Sequence, residues 1–128
     1  ADKTSARIQV FDLQGNYLRS FGGSVEKGGG MMGMSMGGFG GTTWLWEGRF
    51  AGIQSLAFDQ HGRLHALDAY MDKVQILDPI SGDYLGYYDA FVDDHGAQIQ
   101  LDIDISPSGQ VIMTNVTANQ VELIYTVP

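Results

Sequence analysis

The chain contains no cysteine, which removes disulfides, thiolate metal sites and thiol nucleophiles and leaves the redox compartment open. It has no lysine or arginine after Lys73. Up to that residue basic and acidic side chains balance, so the formal net charge of -8 resides in the C-terminal part, on Asp78, Asp83, Asp89, Asp93, Asp94, Asp102, Asp104 and Glu122. Such a surface repels nucleic-acid phosphate and anionic membranes and attracts a basic partner or a cation. No apolar run reaches the roughly 18 residues of a membrane-spanning helix, so membrane insertion is not expected. Helical periodicity is also missing, because 18 glycines and many β-branched and aromatic residues punctuate the chain and no segment sustains a 3.6-residue apolar repeat. The opening Ala1-Asp2-Lys3 is compatible with the cleaved end of a precursor, and the expected location is extracytoplasmic, either periplasmic or secreted.

What is present suits a folded domain. Apolar residues make up 44% of the 128 positions and charged residues 17%, enough for one core and too apolar for a disordered tail. Short apolar runs at 7–11, 17–21, 53–58, 64–67, 74–77, 84–88, 99–105, 111–114 and 121–125 read as strands. Between them DLQGN, DQHGR, DPISGD and SPSGQ read as hairpin turns. The strands recur. IQSLAFDQHGRLHAL from Ile53 aligns with IQLDIDISPSGQVIM from Ile99, with the turn glycines Gly62 and Gly109 47 residues apart. RIQVFDLQGNYLRSFG from Arg7 aligns with KVQILDPISGDYLGYY from Lys73 at a spacing of 66. The excess falls between Phe21 and Phe50, where GGGMMGMSMGGFGG (Gly28 to Gly41) lies, so that stretch reads as an insertion in an array of four-stranded units.

LHALDAYMDKVQILDPISGDYLGYY resembles an NHL repeat: an apolar strand ending in Asp, a polar turn with a basic residue, an RIQVFD-like strand, a glycine-containing turn and a final strand. Asp68, Lys73, Val74, Gln75, Ile76, Asp78 and Gly82 occupy the corresponding positions, and Arg7 to Asp12 reads RIQVFD. In the last repeat Asn115 replaces the Asp and Gln120 the basic residue. The resemblance covers the chain outside the insertion. It implies an all-β fold, a segment of a six-bladed β-propeller with blades of four antiparallel strands. On that division 1–23 supplies strands c and d of a first blade, 24–50 is the Gly/Met-rich insertion, 51–91 is a complete blade, and 92–128 supplies strands a, b and c of a third. The ring is incomplete in this chain, and either further chain or partner subunits in an oligomer or complex are expected to complete it. NHL-like propellers include protein-binding and RNA-binding modules as well as lyases and lactonase-like enzymes, so the resemblance implies architecture more than activity.

Propeller geometry puts the insertion and the 89–97 connection on one face, the usual place for binding on a rigid scaffold. Met31, Met32, Met34 and Met36 are adaptable contact residues, with Phe39, Trp44 and Trp46 as anchors to a partner or to the scaffold. Thioethers are also soft ligands, so a Cu(I)-binding loop is an alternative. Asp93, Asp94 and His95 form a hard-ligand or acid–base triplet suited to Ca²⁺ or Zn²⁺, the metals a lyase or lactonase relative would use near its axis. Along 98–105, Ile99, Leu101, Ile103 and Ile105 alternate with Gln98, Gln100, Asp102 and Asp104, giving one aliphatic and one acidic face. Asp102 and Asp104 are expected to meet solvent, a channel or basic partner residues. No HExxH, GxSxG or phosphate-loop pattern occurs. The reading is therefore a non-catalytic protein-binding and assembly module without a resident cofactor, with a metal-dependent propeller enzyme or a copper-binding loop protein as alternatives.

Overall fold

A computed structural model of the protein describes residues 6–24, 47–90, 101–115 and 120–128. These residues are all-β, in nine strands: β1 (Arg7–Phe11), β2 (Tyr17–Gly22), β3 (Ile53–Phe58), β4 (Leu64–Asp68), β5 (Lys73–Leu77), β6 (Tyr84–Asp89), β7 (Leu101–Ile105), β8 (Gln110–Asn115) and β9 (Gln120–Thr126). They form three open antiparallel meanders, β1-β2, β3-β4-β5-β6 and β7-β8-β9.

The turns share one chemistry. Asp12, Asp59 and Asp78 each accept, through Oδ1, the amide two residues on, from Gln14 (2.9 Å), His61 (2.8 Å) and Ile80 (2.8 Å). This local bond is why aspartate starts turns. A glycine with positive φ closes each, at Gly15, Gly62 and Gly82. Ser106 and Gly109 play the same parts before β8, Ser106 Oγ accepting from Gln110 N at 3.0 Å.

Repetition extends to the backbone. Ala6 and Asp72, the residues before β1 and β5, both take the left-handed conformation, with φ of 51° and 58°. Ala6 O accepts from Gly23 N at 2.8 Å and Asp72 O from Ala90 N at 2.9 Å. The register slips at Val10/Phe11 in one hairpin and at Ile76/Leu77 in the other. Thus β1-β2 and β5-β6 are equivalent units. The first strands of the second and third sheets correspond in a register that differs from the sequence alignment. Phe58 pairs with Leu64 and Ile105 with Val111, so the 47-residue spacing holds through the strands. Ser55 therefore corresponds to Asp102, and Leu56 to Ile103, one residue out from the alignment that starts at Ile53 and Ile99.

The four-stranded sheet lies between the other two. On one side Ile8 of β1 and Ala6 pack with Phe50, Ile53, Leu64, Ala66 and Leu77, and Phe21, Leu56 and Tyr84 border that cluster. On the other, Leu67, Val74, Ile76 and Tyr88 pack with Ile103, Val111, Met113 and Val127. Alternation along β4 makes this possible: Leu64 and Ala66 face one neighbour, His65 and Leu67 the other, and all five residues of the strand are buried. One turn also touches the neighbouring sheet. Gly82 has φ +80°, and a Cβ there would lie 2.7 Å from Phe21 Cβ.

Candidate functional site

Polar residues that the packing cannot ignore cluster in the middle sheet. Asp68, at the end of β4, is completely buried. Its carboxylate accepts four backbone amides: Ala51 N at 2.6 Å on Oδ2, and Gly52 N, Tyr70 N and Met71 N at 3.2, 3.1 and 3.1 Å on Oδ1. Burial raises its pKa above the ordinary carboxylate value, against those four donors, which favour the charge. The residue closes the turn after β4 and fastens the segment entering β3.

Gln75 does similar work from β5. Buried on the same face as Leu77, it accepts from Gly48 N at 2.8 Å and donates to Arg49 O at 2.7 Å, matching both halves of its carboxamide to the backbone leading into Phe50. Its equivalent in β1, Gln9, is exposed.

On the opposite face Asp59, His65 and Tyr88 form a buried relay. His65 Nε2 lies 2.9 Å from Asp59 Oδ2, and His65 Nδ1 lies 2.9 Å from Tyr88 Oη. Burial alone would push the Asp59 carboxyl up. The His65 ring, the Arg63 and His61 amides and the Arg63 guanidinium, whose Nε is 2.9 Å from Oδ2, instead hold it at about 2. Burial lowers the His65 pKa and outweighs the Asp59 bond and charge, so the ring is neutral at pH 7. An ionised Asp59 can only accept, which puts the imidazole hydrogen on Nε2 and makes Tyr88 O–H the donor to Nδ1. Burial raises the Tyr88 pKa, so the phenol keeps its proton, and its ring stacks on Tyr125 at 4.1 Å and 4°. The Asp59 and His65 side chains have no solvent exposure. The arrangement fixes an imidazole inside the sheet interface and offers no reacting atom to solvent.

The sequence-predicted residues divide sharply. Met31, Met32, Met34, Met36, Phe39, Trp44, Trp46, Asp93, Asp94 and His95 lie outside the described residues. Asp102 and Asp104 lie on one exposed face of β7. Asp102 accepts from Ser55 Oγ of β3, while the same hydroxyl accepts from Ile103 N at 3.2 Å, so Ser55 ties the first strands of adjacent sheets together. Asp104 Oδ1 accepts from the neighbouring Ile105 N, at 2.9 Å. Among the described residues no group of three or more His, Asp or Glu is placed to hold a metal ion, and no helix is long and apolar enough to cross a membrane.

A third feature is apolar. Beside β1 runs a groove of about 310 Å³, lined by Ile8, Val10 and Phe11 of β1, Phe21 of β2, Leu56 and Phe58 of β3, and Leu64 of β4, with Gln9 at its rim. Among the described residues β1 pairs with β2 alone, so its other edge borders this groove. No local sequence signal marks it, because its walls come from strands some 50 residues apart.

No protein-family model matches the chain, and no curated protein matches it.

Proposed function

We propose that this chain is a non-catalytic binding and assembly module, a segment of an NHL-like β-propeller whose outer sheets are completed by strands of further chain or of partner subunits. The observation that carries this reading is the inequality of three equivalent sheets. Among the described residues the middle one has four strands and is covered on both faces, whereas its neighbours have two and three. Unpaired strand edges and uncovered apolar faces are what soluble proteins avoid or use for association. Here they coincide with exposed large side chains: Phe11 and Phe58 beside β1, and Val121 and Leu123 on the outer strand of the third sheet. Supporting the propeller form are the repeated turn chemistry, the paired left-handed residues Ala6 and Asp72, and the bond from Ser55 across the innermost strands. The acidic C-terminal part, with Asp102 and Asp104 exposed, suits basic residues on the completing surface.

Native mass spectrometry with analytical ultracentrifugation tests the reading. An assembly larger than one chain, with β1 and β9 amides protected from exchange, is expected. A compact, stable 13.9 kDa monomer with both strands freely exchanging refutes it.

A further inference from the structure

We propose that the edge of β1 that pairs with no other described strand, together with the apolar groove beside it, forms an acceptor for a β-hairpin of another polypeptide, docked with its second strand antiparallel to β1. This inference rests on the assembly reading and names the site and the shape of its occupant.

The protein carries its own template for that occupant. β5 is the counterpart of β1, in entry conformation, closing hydrogen bond and register slip alike. Beside β5 the corresponding edge is filled by β4, which pairs along its whole length from Leu64↔Leu77 to Asp68↔Lys73, and β3 lies beyond it. The groove is moreover continuous with the interface already formed between the first two sheets: Ile8 and Leu64 are buried members of that cluster, and Phe21 and Leu56 border it. A hairpin set in the groove would extend that packing over Leu56 and Phe58, the latter 60% exposed. The matching contact on the far side of the middle sheet indicates the side chains required. There Leu67 and, at the margin, Ala57 pack with Ile103 and Val111, so the inward face of the occupant carries small and aliphatic residues at alternate positions.

Gln9 adds a polar mark. Gln75 uses its carboxamide to hold the backbone that leads into the first strand of its own sheet. Gln9 holds the equivalent place in β1 and is exposed at the rim of the groove. It is placed to grip the backbone that leads into the docked hairpin. Strand addition of this kind draws affinity from main-chain bonds and specificity from alternate side chains.

The probe is a synthetic peptide of residues 48–68, GRFAGIQSLAFDQHGRLHALD, which carries the β3–β4 hairpin and the segment Gln75 holds. Added in trans to the full chain, it is expected to bind with a dissociation constant below about 1 mM and to slow amide exchange in β1 while leaving β9 unchanged. Gln9→Ala is expected to weaken binding about three- to tenfold, the worth of a lost hydrogen-bond pair. Phe58→Glu is expected to weaken it about tenfold or more, through lost apolar burial. Both side chains are exposed, so circular dichroism and thermal unfolding of these variants should match the parent. Absence of β1 protection at about 1 mM peptide, equal protection by a scrambled peptide, or binding indifferent to both substitutions overturns the inference. Assembly in the mass measurement without peptide protection of β1 removes this groove as the docking site and leaves the module reading standing. A monomer that binds the peptide does the reverse.

Discussion

Replacing Asp68 tests whether one carboxylate organises the start of the middle sheet. Asp68→Ala leaves the amides of Ala51, Gly52, Tyr70 and Met71 without their acceptor. An orphaned buried donor costs about 1–3 kcal/mol. Ala51 and Tyr70 are exposed residues whose amides can regain water, and the buried charge is relieved, so each amide counts near the bottom of that range. A loss of about 3–4 kcal/mol follows, counting roughly 1 kcal/mol for each amide. With an unfolding entropy of about 2.1 cal/mol/K per residue, that corresponds to a fall in Tm of about 10–15 °C. Asp68→Asn keeps Oδ1 for Gly52, Tyr70 and Met71 and turns an amino group toward Ala51 N, so it should cost less, about 1–2 kcal/mol. Because burial raises the Asp68 pKa in the folded state, the native protein binds this proton more readily than the unfolded chain. The contribution of Asp68 to stability therefore grows as pH falls from neutrality through the raised value toward the ordinary carboxylate value, and the cost of Asp68→Asn should be larger near pH 4.5 than at pH 7. Urea unfolding of the three proteins at both pH values measures this. A loss below about 1 kcal/mol for Asp68→Ala, or equal losses for Ala and Asn, would refute the four-amide account.

Tyr88→Phe keeps the ring against Tyr125 and deletes the donor to His65 Nδ1, so a cost of about 1–3 kcal/mol is expected in urea unfolding; a change within about 0.5 kcal/mol would show that water replaces the phenol. The folded-state pKa of His65 is lowered, so below about 6.5 the unfolded chain takes up a proton the native ring refuses. The His65 contribution to stability should fall from pH 7 to 5.5, opposite in sign to that of Asp68, so the cost of His65→Gln should be smaller at pH 5.5 than at pH 7; an equal cost at both would move the effect to other groups. Gly82→Ala and Gly15→Ala both put a side chain at positive φ, at +80° and +89°, yet only Gly82 has Phe21 within reach. Differential scanning calorimetry should find Gly15→Ala costing about 1–2 kcal/mol and Gly82→Ala clearly more; equal shifts would mean that the turn does not bear on the first sheet.

Much of the fold was legible because strands and turns are local. Alternation and turn chemistry placed β5 within one residue of its observed Lys73–Leu77 and β1 at its observed Arg7–Phe11. Register was harder. The Ile-Gln pairs at 53–54 and 99–100 attracted the alignment, although the turns at Asp59 and Ser106 set the spacing, and the one-residue error exchanged the faces of Leu56 and Ser55. Alternation of four carboxyl-bearing or amide positions with aliphatic ones predicts that Asp102 and Asp104 face solvent, a channel or basic partner residues, and both are exposed. The roles of Gln75 and His65 were not legible. The partners of Gln75 lie 26 and 27 residues away and those of His65 lie 6 and 23 away, and no periodicity links such separations.

Equivalent positions in the repeated units have unequal surroundings. Gln75 is buried, with both its carboxamide oxygen and nitrogen bonded to backbone, while Gln9, in the same place one unit earlier, is exposed. Ser55 is buried and faces the next sheet, while Asp102, its counterpart one unit later, is exposed. At the leading side of the array the residue type has been kept although nothing among the described residues uses it; at the trailing side a neutral hydroxyl has become a carboxylate. A glutamine retains its fitness for gripping backbone, and a buried carboxylate without a counter-charge would oppose packing. The two open ends are therefore chemically different. The β1 end is apolar with a carboxamide at its rim, suited to strand addition, and the β7 face is acidic, suited to a basic surface or to solvent.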